Sequence, residues 1–185
     1  DKDRSDRSTY KLLGGSIGFY GSTLNTRQYA TKGYLEKLIA QVFTGRERFE
    51  PGNPQEGYSP SPQERQSWLQ ISYMKEAYHT MGPKFTLGWM AEALYSSKNF
   101  SENYTATMMQ AGEFAPTPHS KLMYNEAFRA NQYVAAGIKP IYVLNDMFQF
   151  RTEFYGFTPI FPIKKNALNK AYYGKAFSRF EYMGE

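Results

Sequence analysis

The stretch Lys84-Phe85-Thr86-Leu87-Gly88-Trp89-Met90-Ala91-Glu92-Ala93-Leu94-Tyr95 decides the fold. Read as an extended chain, it puts Phe85, Leu87, Trp89, Ala91, Ala93 and Tyr95 on one side and Lys84, Thr86, Gly88, Met90, Glu92 and Leu94 on the other. A helix would scatter both sets around its surface, whereas a strand separates them because successive side chains point to opposite faces. Residues 147–158 repeat the pattern more sharply. Phe148, Phe150, Thr152, Phe154 and Gly156 alternate with Gln149, Arg151, Glu153, Tyr155 and Phe157, so one face is almost free of charge and the other holds a cation beside an anion.

Working outward, runs rich in Tyr, Phe, Ile, Val and Thr recur between Gly, Pro, Asn and Asp, the pattern of long strands joined by turns. They fall near 10–22, 33–48, 67–79, 84–96, 131–144, 147–158 and 172–183. In 172–183 the face Tyr172, Gly174, Ala176, Ser178, Phe180, Tyr182 opposes Tyr173, Lys175, Phe177, Arg179, Glu181, and in 67–79 only Lys75 interrupts the apolar set Leu69, Ile71, Tyr73, Ala77. Segment 33–48 fits poorly, because Glu36 shares a face with Tyr34 and Leu38 while Lys37 and Gln41 share theirs with Leu35, Ile39 and Phe43. Stretches 50–66 (Pro51, Pro54, Pro60, Pro62) and 97–126 (Pro116, Pro118) read as loops, so short and long connections alternate. No repeat or domain linker divides the 185 residues, and one domain is expected.

Aromatic residues make up 17% of the chain, with 16 Tyr and 14 Phe against a hydrophobic fraction of 41%, a balance that suits strands. No run approaches the roughly 18 apolar residues of a membrane-spanning helix, so any crossing of a bilayer is by strands. Period two also describes a soluble sandwich. Strand length and aromatic placement favour the membrane: spans of about 9–11 residues carry aromatic girdles near both interfaces. Here Tyr10 and Tyr20, Trp68 and Tyr78, Phe85 and Tyr95, and Tyr172 and Tyr182 sit at strand ends. The rival from another class is a soluble β-sandwich-like module that binds glycan or peptide through surface aromatics.

The formal charge is +5, but the 22 Lys and Arg are scattered and mostly have acids nearby, as in Arg46-Glu47-Arg48, so no nucleic-acid partner is expected. There is no Cys, which removes disulfides and thiolate chemistry. With His79 and His119 as its two histidines, the chain offers neither a histidine triad nor a zinc helix, and no cofactor or metal is expected. Gly14-Gly15-Ser16-Ile17-Gly18 matches the G-x-S-x-G elbow of serine hydrolases, but that motif opens a helix and Phe19-Tyr20-Gly21-Ser22 continues a strand. Ser16 therefore reads as a small inward residue, and no catalytic residue is assigned. Glu92 and Glu153 are read as carboxylates facing a wet lumen rather than as a glycosidase couple. The lead-in Asp1-Lys2-Asp3-Arg4-Ser5-Asp6-Arg7 is polar and carries no leader pattern, so a signal is expected upstream in a longer parent.

Three stretches carry a resemblance: Ser22-Thr23-Leu24-Asn25-Thr26-Arg27-Gln28-Tyr29-Ala30-Thr31-Lys32-Gly33-Tyr34, Phe43-Thr44-Gly45-Arg46-Glu47-Arg48-Phe49-Glu50-Pro51-Gly52 and Phe128-Arg129-Ala130-Asn131-Gln132-Tyr133-Val134-Ala135-Ala136-Gly137. They resemble the C-terminal barrel of Bacteroidetes patatin-like phospholipases, which is similar to the bacterial surface antigen domain. The resemblance implies an upstream patatin domain that hydrolyses lipid esters with a Ser-Asp dyad, followed by a barrel of about sixteen strands. It implies that this chain is a fragment covering part of that barrel. The superfamily's Arg-Gly-Tyr loop motif is matched loosely by Arg129-Ala130-Asn131, making Arg129 a lumen-inserted candidate.

The expected fold class is all-β: an antiparallel membrane β-barrel, or a partial barrel of about seven to eight strands, spanning 1–185. Gln149, Arg151, Glu153, Lys175, Arg179 and Glu181 are expected to face the lumen, because Arg or Lys facing lipid at the midplane costs about 2–4 kcal/mol. The segment is expected in the bacterial outer membrane as a non-catalytic anchor or translocation element. Its expected partners are membrane lipid, the upstream domain and the remaining strands, with self-association through unpaired edges.

Overall fold

The computed structural model describes residues 6–52, 64–145 and 148–184. Along the chain run β1 (Arg7–Ser22), β2 (Gly33–Glu50), β3 (Glu64–Thr80), β4 (Phe85–Ser96), α1 (Tyr104–Gln110), β5 (Gly112–Glu113), β6 (Arg129–Ala130), β7 (Gln132–Val143), β8 (Gln149–Arg151), β9 (Phe154–Pro159), β10 (Ile163–Lys165), β11 (Ala171–Tyr173) and β12 (Glu181–Gly184). The main sheet is an antiparallel meander in the order β1-β2-β3-β4-β7-β9-β12, with β8 also paired to β7. It does not close on itself, so β1 and β12 each present an unpaired edge among the described residues.

β8 and β9 are one strand with a gap. Tyr133 faces Pro159, Ile138 faces Phe154 and Ile141 faces Arg151, a single register throughout. Opposite the gap stands Pro140, which has no N–H to give the ladder. Thr152 N still donates to the Pro140 carbonyl at 3.2 Å, so the strand is held in line across the break.

Six of the seven strands foreseen from periodicity are present with ends shifted by a few residues. The seventh is a correction. Residues 172–183 do not run as one strand: Ala171–Tyr173 turns back to pair with Ile163–Lys165, and only Glu181–Gly184 joins the main sheet. The break comes at Phe177, which sits at φ 51°, a left-handed conformation that no strand accommodates. Two bonds fix that turn, from Gly174 N to Pro162 O at 2.8 Å and from Phe177 N to Ile160 O at 2.8 Å. The stretch 97–126 is likewise more than a loop. It holds α1, capped by Asn103 accepting from Ala106 N at 2.7 Å, the strand β5, which pairs with β6, and two short 3-10 turns. Of the loop expected at 50–66, residues 53–63 lie outside the described residues, as do 1–5 of the polar lead-in.

The connections sort by end. The connections after β1, β3 and β7 fall at one end of the sheet and those after β2, β4 and β9 at the other, with the longer connection always at the second. The 97–131 insertion folds onto the inward face of β4, β7 and β9, where Phe114, 1% exposed, stacks on Phe157 at 5.8 Å and meets Tyr133 and Tyr155 edge-on. The main hydrophobic core lies there, between insertion and sheet. It does not reach β1, whose Leu13 and Ile17 are 74% and 78% exposed on one face and whose Tyr20 is 67% exposed on the other.

Candidate functional site

The two faces of the sheet differ: one is largely apolar and exposed, and the other carries buried charge beside the main hydrophobic core. Register carries the alternation of β4 across neighbouring strands: Ala77 opposes Trp89, which opposes Ile138, all on the outer face. That face collects Leu13, Ile17, Phe19, Leu38, Val42, Leu69, Ile71, Tyr73, Val134, Ile138, Phe150 and Phe154, each well exposed. Its charged pair on β2 and β3, Glu36 and Lys75, is 3.8 Å apart, and Glu36 also accepts from Tyr73 OH at 2.6 Å. The mixed segment 33–48 resolves here: Tyr34, Glu36, Leu38, Ala40 and Val42 point outward, while Leu35, Lys37, Ile39, Gln41 and Phe43 point inward.

The inner face carries a compact charge network. Lys139 Nζ on β7 donates to Glu76 Oε1 on β3 at 2.9 Å, with the two side chains 6% and 15% exposed. Tyr78 OH donates to the same Glu76 and accepts from Arg151 Nη2 at 2.8 Å. Arg151 Nε lies 2.7 Å from Glu153 Oε1, and Tyr155 OH donates to Glu153. Two cations and two carboxylates therefore neutralise one another with two tyrosines bridging, which is how buried charge is tolerated. Arg151 Nη2 also donates to Ala30 O at 3.1 Å, and its guanidinium lies over the rings of Tyr29 and Tyr78, pinning the β1–β2 turn across that end of the inner face.

Glycines make room for the network. Tyr78 pairs with Gly88 and Tyr155 with Gly137, and a Cβ on either glycine would stand 2.6 and 2.3 Å from the opposing ring. The rings lie flat over the glycines, sending their hydroxyls to Glu76 and Glu153. Phe43 covers Gly14 in the same way.

Gln149, Arg151 and Glu153 thus share the inward side of β8 and its continuation, with Phe150 and Phe154 outward. Glu181 pairs with Phe157 on the same side, and Arg179 donates to Ala127 O at 2.8 Å inside the insertion. Lys175 is a correction, since the turn that replaces the expected strand leaves it exposed and outside the sheet. Arg129 is enclosed by the insertion: its Nη1 donates to Met108 O and Met109 O, each at 3.2 Å, at the end of α1, and its Nη2 pairs with Glu113 at 2.6 Å. Lys139 and Glu76 were not singled out from sequence, Tyr155 entered only as part of the 147–158 alternation, and Tyr78, read as a strand-end girdle aromatic, points inward instead. The signal was there, since Lys139 alternates in phase with Tyr133, Ala135, Gly137 and Ile141, but strand pairing alone tells which cation meets which acid.

At the opposite end, Lys98 is buried over Trp68 at 5.1 Å and Tyr10 at 5.8 Å. Desolvation pushes its ammonium down to about 8, against the attraction of Glu47. Glu47 accepts from Tyr10 OH at 2.9 Å and from Glu102 N at 3.3 Å, joining the insertion to β1 and β2. Ser16 lies in mid-strand against Gln41, and Glu92 accepts from Tyr133 OH at 2.6 Å. His79 ends β3 and His119 precedes a 3-10 turn; among the described residues no group of three His, Cys, Asp or Glu could hold a metal. No protein-family model, curated protein or solved structure matches this chain.

Proposed function

We propose that the chain is a seven-strand wall of an outer-membrane β-barrel that performs no chemistry itself and anchors, or helps to export, a lipid-hydrolysing domain of the same parent. The observation that carries this reading is the polarity of the sheet: an exposed, mostly apolar face backs onto an inner face where Lys139, Glu76, Arg151 and Glu153 are largely buried and paired. A soluble sheet of this width buries its apolar face and wets its polar one. Contiguous apolar surface on this scale belongs against lipid or a partner.

Short connections on one end and long ones on the other agree with outer-membrane barrels, whose long loops face outside the cell. The patatin-like parent rests on the three resembling stretches, which fall at the β1–β2 turn, the end of β2 and the start of β7.

The aromatic core around Phe114 favours a second reading, a soluble binding module, because it could hold the insertion on the sheet in water. Dilution of the chain from urea separates the two. The barrel predicts a strand-rich, protease-resistant species only with detergent or lipid vesicles. A monomer folded in plain buffer refutes it and promotes the module.

A further inference from the structure

Residues 160–180, which join β9 to β12 on the long-loop end, contain Lys164, Lys165, Lys170, Lys175 and Arg179 and no Asp or Glu. Arg179 turns inward onto the carbonyls of Ala127 and Arg129, and Lys165 lies over the Tyr104 ring. Lys164, Lys170 and Lys175 are exposed and have no carboxylate partner among the described residues. The arm is a firm platform. Ile163 is buried against Met108 and Ala111 of the insertion, and Asn166 Oδ1 closes its tip by accepting from Lys170 N at 2.9 Å. The Lys164 stem runs across Gly174, beside Lys175, and stands opposite Tyr172 on the paired strand.

The arm returns to the sheet through Phe180, which crosses the outer face and lies over Gly156. Beside it an apolar groove of about 490 Å³ runs along β7 and β9 between Val134, Ala136, Ile138, Phe154 and Phe180. The hydroxyl of Thr158 on its wall is already given to Arg179 O at 2.7 Å, so the groove offers no free donor there. An apolar groove on the outer face, joined through Phe180 to an arm that carries unpaired lysines, is complementary to an amphiphile of matching design.

We infer that this arm and groove bind an anionic, phosphate-bearing membrane lipid, its acyl chain along Ala136 and Gly156 under Phe180 and its phosphate on Lys164, Lys170 and Lys175. The inference rests on the barrel reading, because the groove meets an acyl chain only if the outer face is in lipid. Charge complementarity selects the headgroup: each basic residue at an anionic surface contributes about fivefold in affinity, and salt screens it. Exposed Tyr172 and Phe177 on the same arm suit the interfacial depth at which such headgroups lie.

The test refolds the full chain into phosphatidylcholine vesicles and measures, with spin-labelled lipids, the preference of the protein's lipid shell for phosphatidylglycerol over phosphatidylcholine. The expected result is a preference that weakens in high salt. It should fall by at least about fivefold in the combined Lys164→Gln, Lys170→Gln, Lys175→Gln variant, and stay unchanged in Lys84→Gln at the short-turn end. Equal association of both lipids with the unaltered chain, or an undiminished preference in the triple variant, overturns the inference while leaving the barrel standing. Failure of the unaltered chain to assemble in phosphatidylcholine at all overturns the barrel itself, and the lipid site with it.

Discussion

Gln70 and Ile71 are neighbours in β3 with the same two flanking strands, and they point to opposite faces. Ile71 stands outward between Ala40 and Tyr95, in the middle of the apolar band, and Gln70 stands inward between Gln41 and Ser96. Replacing each in turn by Arg adds the same charge at the same depth to the two faces. If the outer face meets lipid, Ile71→Arg costs about 2–4 kcal/mol of membrane stability near the midplane. That is a shift of about 30- to 1,000-fold in the folding equilibrium at about 1.4 kcal/mol per decade. Gln70→Arg replaces a polar side chain whose contact with Gln41 Oε1 is already long, 3.5 Å, and should cost under about 1 kcal/mol. The assay is a urea titration in vesicles read by protease resistance, comparing midpoints at a common slope. In a water-exposed sheet Ile71→Arg would be nearly neutral, so equal midpoints for the two variants refute the assignment of faces.

Phe150→Arg should impair assembly in vesicles far more than Gln149→Ala, since the two occupy opposite faces of β8; a vesicle-assembly yield equal for both contradicts this. Lys139→Ala should cost about 3–5 kcal/mol by stranding the Glu76 carboxylate, and Lys139→Met combined with Glu76→Gln should recover most of it in the same titration. Gly88→Ala should destabilise by about 1–3 kcal/mol, because the added methyl meets the Tyr78 ring at 2.6 Å and Lys139 Cβ at 3.1 Å. For Lys98, the unfolded state holds more protons than the folded one between about pH 8 and 10.5. The cost of burying its charge is therefore present below pH 8, and stability should rise across that window by up to about 3 kcal/mol. Urea midpoints against pH should show the rise in the unaltered chain and lose it in Lys98→Met.

Strand positions and facing were legible because period two is written into single residues: β4 and the β8–β9 strand alternate so regularly that facing follows from their own side chains. Segment 33–48 was not, because its inner face must suit both the polar Gln41–Gln70 contact and the stacked Phe43–Trp68 pair at 5.1 Å, so it mixes types. Residues 172–183 failed for a different reason. Alternation there is real, but the chain is spent on a hairpin with β10, and the positive φ of Phe177 is a tertiary consequence that no local pattern announces. The insertion was missed as structure because α1 is seven residues long and held by contacts distant in sequence, Arg129 on its terminal carbonyls and Ile163 against Met108. Short elements of this kind have too little periodicity to read.

The charge network depends on a side chain that is absent. Glu76 and Lys139 sit on strands separated by β4, and the residue between Tyr78 and Lys139 in that row is Gly88. Any larger residue would stand between Lys139 and its acid; with glycine there, the ammonium crosses a whole strand to close at 2.9 Å. The same row meets the strand gap at Pro140, where the backbone ladder between β7 and its neighbour is thinnest. Lys139 precedes that proline, and Glu153 and Arg151 flank Thr152 across from it. The ion pairs therefore gather where backbone hydrogen bonds are fewest, and they tie β3, β7 and β8 together through side chains from the inner side. On a sheet whose outer face is mostly apolar, with the Glu36–Lys75 pair as an exception, inward bonds of this kind oppose local opening of the strands. Their near-complete burial means that breaking one partner strands the other, so the network holds β3, β7 and β8 together as a unit.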